Sequence, residues 1–148
     1  MKQSRQKNSP KKSFPVWAWA GLAVAVLIIA GLALSSMFAP AKAGLPREIS
    51  VSEASQKMQQ GAFVLDVREP SEWDQFHIPG STLIPLGELP NRLSSVPTDR
   101  EVVVVCRSGN RSQTGRDILL QAGYENVTSM AGGVVQWQGA GLPITSGR

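Results

Sequence analysis

Cys106, the only cysteine of the chain, stands where the run Val102-Val103-Val104-Val105 stops and Arg107-Ser108-Gly109-Asn110-Arg111-Ser112 begins. Four consecutive valines predict a strand buried on both faces, and Ser112 to Ala122, closed by Gly123, predicts a helix. The loop between them must turn sharply at the carboxyl end of a strand, and Gly109 and Asn110 are the residues there that tolerate positive φ. Ligands of open α/β sheets bind outside such strand ends. A helix amino terminus beside them offers unpaired N–H groups and a partial positive charge, worth roughly 0.3–2 kcal/mol to a nearby anion. A thiol placed there is a nucleophile in surroundings that favour its anionic form. Free cysteine also serves as a small apolar residue at the end of a core strand, but two arginines and a turn-forming pair suit an anion site and gain nothing from burial.

The elements that must position this loop read as one α/β domain. Ser50-Val51-Ser52-Glu53 is a capping box opening a helix that ends at Gly61. Phe63 to Val67 reads as a buried strand, Pro70-Ser71-Glu72 as the start of a short helical turn, and Thr82 to Ile84 as a short strand. A polar helix or turn follows around Gly87 to Leu93; then come the central strand Val102 to Val105, a last strand Val127 to Ser129 and a closing helix Val134 to Gln138. Strands alternating with helices imply right-handed crossovers and a parallel sheet covered on both faces.

With the layout in place, four ordered segments resemble the rhodanese-type sulfurtransferases. They are Asp66-Val67-Arg68-Glu69 with Glu72-Trp73; His77-Ile78-Pro79-Gly80; the Cys106 to Ser112 loop; and Gly132-Gly133 with Trp137 and Gly141-Leu142-Pro143. The resemblance spans roughly Arg47 to Ile144 and departs from the family at Phe76, where a small residue, often glycine, is usual. It implies a rhodanese-like α/β fold with a parallel sheet of about five strands and helices on both faces, as a single module.

The chemistry implied is transfer of sulfane sulfur from a small anionic donor such as thiosulfate to cyanide, a thiol or a protein thiol. Cys106 is the expected nucleophile and sulfur carrier. The backbone N–H groups from Arg107 through Ser108, Gly109, Asn110 and Arg111 to Ser112 would cradle a persulfide, while Arg107 and Arg111 would attract the donor and ease departure of sulfite. The persulfide is itself the intermediate, so no metal or organic cofactor is expected. Ser112 is expected to cap its helix and donate to the cysteine sulfur. Asp66, at a strand end, is expected to brace the neighbouring loop, with Arg68 as its partner or that of another carboxylate. His77, the only histidine, cannot form a metal cluster by itself and lies in a turn, which favours a structural role. Trp73 and Trp137 are expected to pack against the sheet. Two other classes compete: a binding or sulfur-relay module with little turnover on small molecules, and a phosphatase or arsenate reductase on the same fold. The Cys-x4-Arg spacing of Cys106 and Arg111 argues against the latter, whose loop is one residue longer.

The amino-terminal third has a different character. Lys2, Arg5, Lys7, Lys11 and Lys12 supply five positive charges, so the rest, with ten Lys or Arg against eleven Asp or Glu, is close to neutral. The basic pI near 9.6 therefore belongs to the tail and does not indicate nucleic-acid binding. No charged residue occurs between Lys12 and Lys42. The 24 residues from Val16 to Ala39 would extend about 36 Å as a helix, enough to cross a hydrocarbon core of about 30 Å. The expected organisation is a basic cytoplasmic tail over 1–15, a single transmembrane helix over 16–38, a linker over 39–46 and the domain over 47–148, held on the extracytoplasmic (periplasmic) side by the basic segment. Ala41-Lys42-Ala43 also fits a signal cleavage site, which would release a soluble exported domain; against it, the apolar stretch exceeds the usual length of about 7–15 residues. With one cysteine there is no internal disulfide and no thioredoxin-like exchange pair.

Overall fold

Val102 to Val105 occupy the middle of a five-stranded parallel sheet, where all four side chains are buried. The computed structural model describes residues 45–147. Its elements in chain order are β1 (Glu48–Ile49), α1 (Val51–Gln59), β2 (Phe63–Asp66), α2 (Pro70–Trp73), β3 (Thr82–Leu83), β4 (Val102–Val105), α3 (Asn110–Gln121), β5 (Val127–Met130) and α4 (Gly133–Gly139). The sheet order is β1-β5-β4-β2-β3, with every neighbouring pair parallel. Carboxyl ends of all the strands therefore lie at one edge, and the Cys106 loop leaves from the middle of that edge.

Period-two alternation divides the valines between two cores. Val103 and Val105 join Ile49, Val51, Ala54, Val64, Ile78, Met130, Val134 and Trp137, a cluster that α1 and α4 cover. Val102 and Val104 join Leu65, Val67, Ile84, Leu89, Leu119 and Val127 on the face covered by α3, and Cys106 falls in the same set. Burial of each valine contributes about 1.5–3 kcal/mol, so the residues that carry the loop sit on the most strongly held strand. Gly115 of α3 lets that helix approach closely: a Cβ there would lie 3.1 Å from Val104 and 3.2 Å from Val67.

The expected count of about five strands holds, while some details of the layout need correction. The strand that the sequence did not locate, β1, pairs Glu48 with Ser129 and Ile49 with Met130; two residues next to a helix cap carry no alternation to detect. The polar stretch after Gly87 forms two short 3-10 turns, Leu89–Asn91 and Leu93–Ser95. Helix α3 starts two residues earlier than Ser112, with Gly109 as its N-cap at φ 104°, and Asn110 is helical with no positive φ. Trp137 is buried in the core and donates its indole N–H to the Pro143 carbonyl at 2.8 Å. Trp73 instead stacks on His77, with ring centroids 3.7 Å apart and planes 9° from parallel.

Residues 1–15 and the expected membrane helix over 16–38 lie outside the described residues, as does most of the 39–46 linker. Among the described residues no helix is long and apolar enough to cross a membrane.

Candidate active site

Cys106 is the first residue past β4 and is 1% exposed. The chain turns back at Gly109, whose N–H donates to the Cys106 Sγ at 3.2 Å. Only glycine suits this position: its φ is left-handed, and an added Cβ would also press on the Gly132 nitrogen at 3.2 Å. Ser112 does not act as the cap. Its hydroxyl donates to the Gly109 carbonyl at 2.7 Å, bracing the turn, and lies 3.7 Å from the Sγ, with the thiol as donor.

The outer side of the loop is fastened by α4. Val134 N–H donates to the Cys106 carbonyl at 2.8 Å and Val135 N–H to the Arg107 carbonyl at 3.2 Å. With those two carbonyls engaged by α4, the loop carries a backbone N–H toward the sulfur. This approach requires glycine at Gly133, since a Cβ there would collide with the Cys106 carbonyl oxygen and the Arg107 backbone. The paired glycines Gly132-Gly133 before a helix were the visible signal of a close backbone contact. What they contact lies far back in the sequence.

A second set of residues supports the loop from the other side. The Asp66 carboxylate and Arg68 guanidinium form a fully buried pair, with Nη2 2.7 Å from Oδ2 and Nε 3.0 and 2.9 Å from the two oxygens. Asp66 also accepts the Arg68 backbone N–H at 3.0 Å. The remaining donors of Arg68 reach the carbonyls of Glu72 at 3.3 Å and Phe76 at 2.9 Å, and its guanidinium carbon lies 5.5 Å from the Phe76 ring centroid. Arg68 thus ties α2 and the segment after it to the end of β2. Phe76, where a small residue is usual, packs against the core and shields this cation.

Glu72, so anchored, grips Arg111 in a bidentate pair: Nη1 to Oε2 and Nη2 to Oε1, each 2.7 Å. The Arg111 hydrogen bonds are the main cause that pulls the Glu72 carboxyl down to about 2. Reciprocally, the Arg111 pKa is raised, first by Glu72 and to a lesser degree by the charge of Cys106. Arg107 is exposed, and its side chain makes no hydrogen bond or ion pair with any described residue. The two arginines that flank the cysteine are therefore in different electrostatic states. Nothing local in the sequence assigns Glu72 a role, because its partner is 39 positions away.

His77 serves the frame of the domain. Its Nδ1 lies 3.1 Å from the Trp73 carbonyl, and its backbone pairs with Thr145 through hydrogen bonds of 2.8 and 2.9 Å.

Comparison with known proteins agrees with this geometry. The rhodanese-like domain model matches residues 50–140. A sulfurtransferase from Allochromatium vinosum is 38% identical over 101 residues, covering 67% of this chain and 94% of that protein. The thiosulfate sulfurtransferase GlpE of Pseudomonas syringae pv. syringae is 32% identical over 92 residues, covering 62% of this chain and 87% of that protein. Among solved structures, a rhodanese-related protein from Thermoplasma volcanium is similar with a TM-score of 0.63 and 32% identity, covering 68% of this chain and 98% of that one.

Proposed function

Because the chain belongs to the rhodanese-like domain family, we propose that it is a sulfurtransferase in which Cys106 carries sulfane sulfur as a persulfide. The observation that carries this reading is the backbone N–H of Gly109 aimed at the Cys106 sulfur in a loop held from outside by α4. Such a loop stabilises an anionic sulfur without reorganising when it forms.

With thiosulfate as donor, the Cys106 thiolate attacks the outer sulfur. A new S–S bond forms, the donor's S–S bond breaks, and sulfite departs with the electron pair. Cyanide or a thiolate acceptor then attacks the outer sulfur of the persulfide, and the Cys106 thiolate is regenerated. Atoms and electrons balance over the cycle, which calls on no metal or organic cofactor. Arg107, exposed and without a partner among the described residues, supplies the charge that draws in an anionic donor. Intact-mass measurement of the purified chain after incubation with thiosulfate, and separately with an organic persulfide, tests the reading. The expected result is a gain of one sulfur atom in the native chain and none in Cys106→Ser; no gain from either donor overturns it.

The uncharged segment behind a basic tail supports a membrane-anchored chain with its domain on the extracytoplasmic face. Protease added outside intact cells or spheroplasts should digest the domain. Full protection overturns the orientation, and a released form beginning at Gly44 overturns the anchor in favour of signal cleavage.

A further inference from the structure

Arg107 and Arg111 belong to the same cysteine loop and differ in what faces them. Arg107 is exposed and has no partner among the described residues. Arg111 presents both terminal nitrogens to Glu72 at 2.7 Å, and the two side chains are only 34% and 20% exposed. A bidentate guanidinium–carboxylate pair has no net charge and leaves those nitrogens engaged. Glu72 does not depend on Arg111 for its place: the buried Arg68 holds its carbonyl at 3.3 Å, and the Glu69 N–H holds its carboxylate at 3.2 Å. The clamp is thus built into α2 before any donor arrives. Among the described residues of the loop, a dianion approaching Cys106 meets one uncompensated cation where the sequence offers two, together with a nearby carboxylate. A neutral donor loses nothing from either.

We propose that Glu72 is a positioning residue that sets donor selectivity: by holding Arg111 it withholds a second positive charge from the site and turns it from oxyanion donors such as thiosulfate toward the hydropersulfides of small thiols. The proposal rests on the reading of Cys106 as the sulfur acceptor. In the step concerned, the Cys106 thiolate attacks the outer sulfur of R–S–SH. The new S–S bond forms as the old one breaks, its electron pair leaves on the inner sulfur, and that sulfur takes the proton of the donor's S–H. The products are R–SH and the Cys106 persulfide anion, with no outside oxidant or reductant.

The test is the rate of sulfur loading onto Cys106, read by quenched intact mass in the full chain, with thiosulfate and with the hydropersulfide of a small neutral thiol as the two probes. Glu72→Gln keeps the shape of the side chain and removes its charge. It should raise loading from thiosulfate about tenfold, the effect of roughly one kept charge contact, and leave hydropersulfide loading within about twofold. The gain acts through Arg111, so it should vanish in the double variant Glu72→Gln with Arg111→Gln. A fall in thiosulfate loading, an equal change with both donors, or a gain that survives in the double variant overturns the proposal. If the native chain loads from neither donor, it is the sulfurtransferase reading that fails. Should Glu72→Gln not fold, the salt dependence of the native chain decides. With Arg107 as the one loop arginine unpaired among the described residues, thiosulfate loading should fall less than about threefold between 50 and 500 mM salt; a steeper fall overturns the proposal.

Discussion

Asp66 and Glu72 lie close in sequence, yet the carboxylate–guanidinium pairs they form have different physical consequences. Asp66–Arg68 is fully buried, and its arginine spends its other donors on backbone carbonyls. Glu72–Arg111 is half-open to solvent at the edge of the cysteine loop. Desolvation makes the first pair a poor source of net stability but very costly to break. The second is screened and worth little to folding, so its charge state is available for binding. The pair that holds the frame and the pair that shapes the site are joined through Glu72, whose backbone answers to one and whose side chain answers to the other.

The largest expected difference comes from breaking the buried pair. Arg68→Met leaves Asp66 without its partner in the core and frees the carbonyls of Glu72 and Phe76, and it should cost about 3–5 kcal/mol in urea unfolding. A loss below about 1 kcal/mol would erase the contrast between the pairs. Acid is the next probe. The Glu72 carboxyl is depressed to about 2 from its ordinary value of 4.5, so the stability it lends is fully present above about 4.5 and is lost as pH falls toward 2. Allowing for solvent screening, the native chain should lose on the order of 1 kcal/mol more between pH 6 and pH 3 than Glu72→Gln does. Equal losses in the two proteins would remove Glu72 as the source. The smallest effect is that of salt. A double-mutant cycle across Glu72 and Arg111 should show a coupling that shrinks by roughly a few tenths of a kcal/mol from 50 mM to 1 M NaCl, while the Asp66–Arg68 coupling stays constant. Equal salt sensitivity of both would mean that burial does not separate them.

What the sequence made legible was local. The four valines announced the central strand, Ser50 and Glu53 the capping box observed at α1, and the single cysteine at a strand end the loop that carries the candidate site. Asp66 and Arg68, two positions apart, were near enough for pairing to be foreseen. The remaining features depend on distant contacts. Gly133 must be glycine because of the backbone at Cys106 and Arg107, and Glu72 meets Arg111 across 39 positions; no periodicity registers either. Strand β1 is defined by its partner, since two residues have no pattern of their own. Trp73 departs from the expectation that an aromatic residue near a sheet enters the core, because the adjacent turn brings His77 over its ring.

The order of the strands also bears on how the domain comes into being. The first of the described strands to be made during synthesis, β1, lies at the sheet edge and has β5 as its sole neighbour among the described residues, about eighty positions later. His77 likewise waits for Thr145. A nascent chain emerging from the ribosome therefore cannot complete its sheet until nearly the whole domain has been translated. Pairings this far apart in sequence slow the search for the native state, and the chain should acquire its fold as one late, cooperative event.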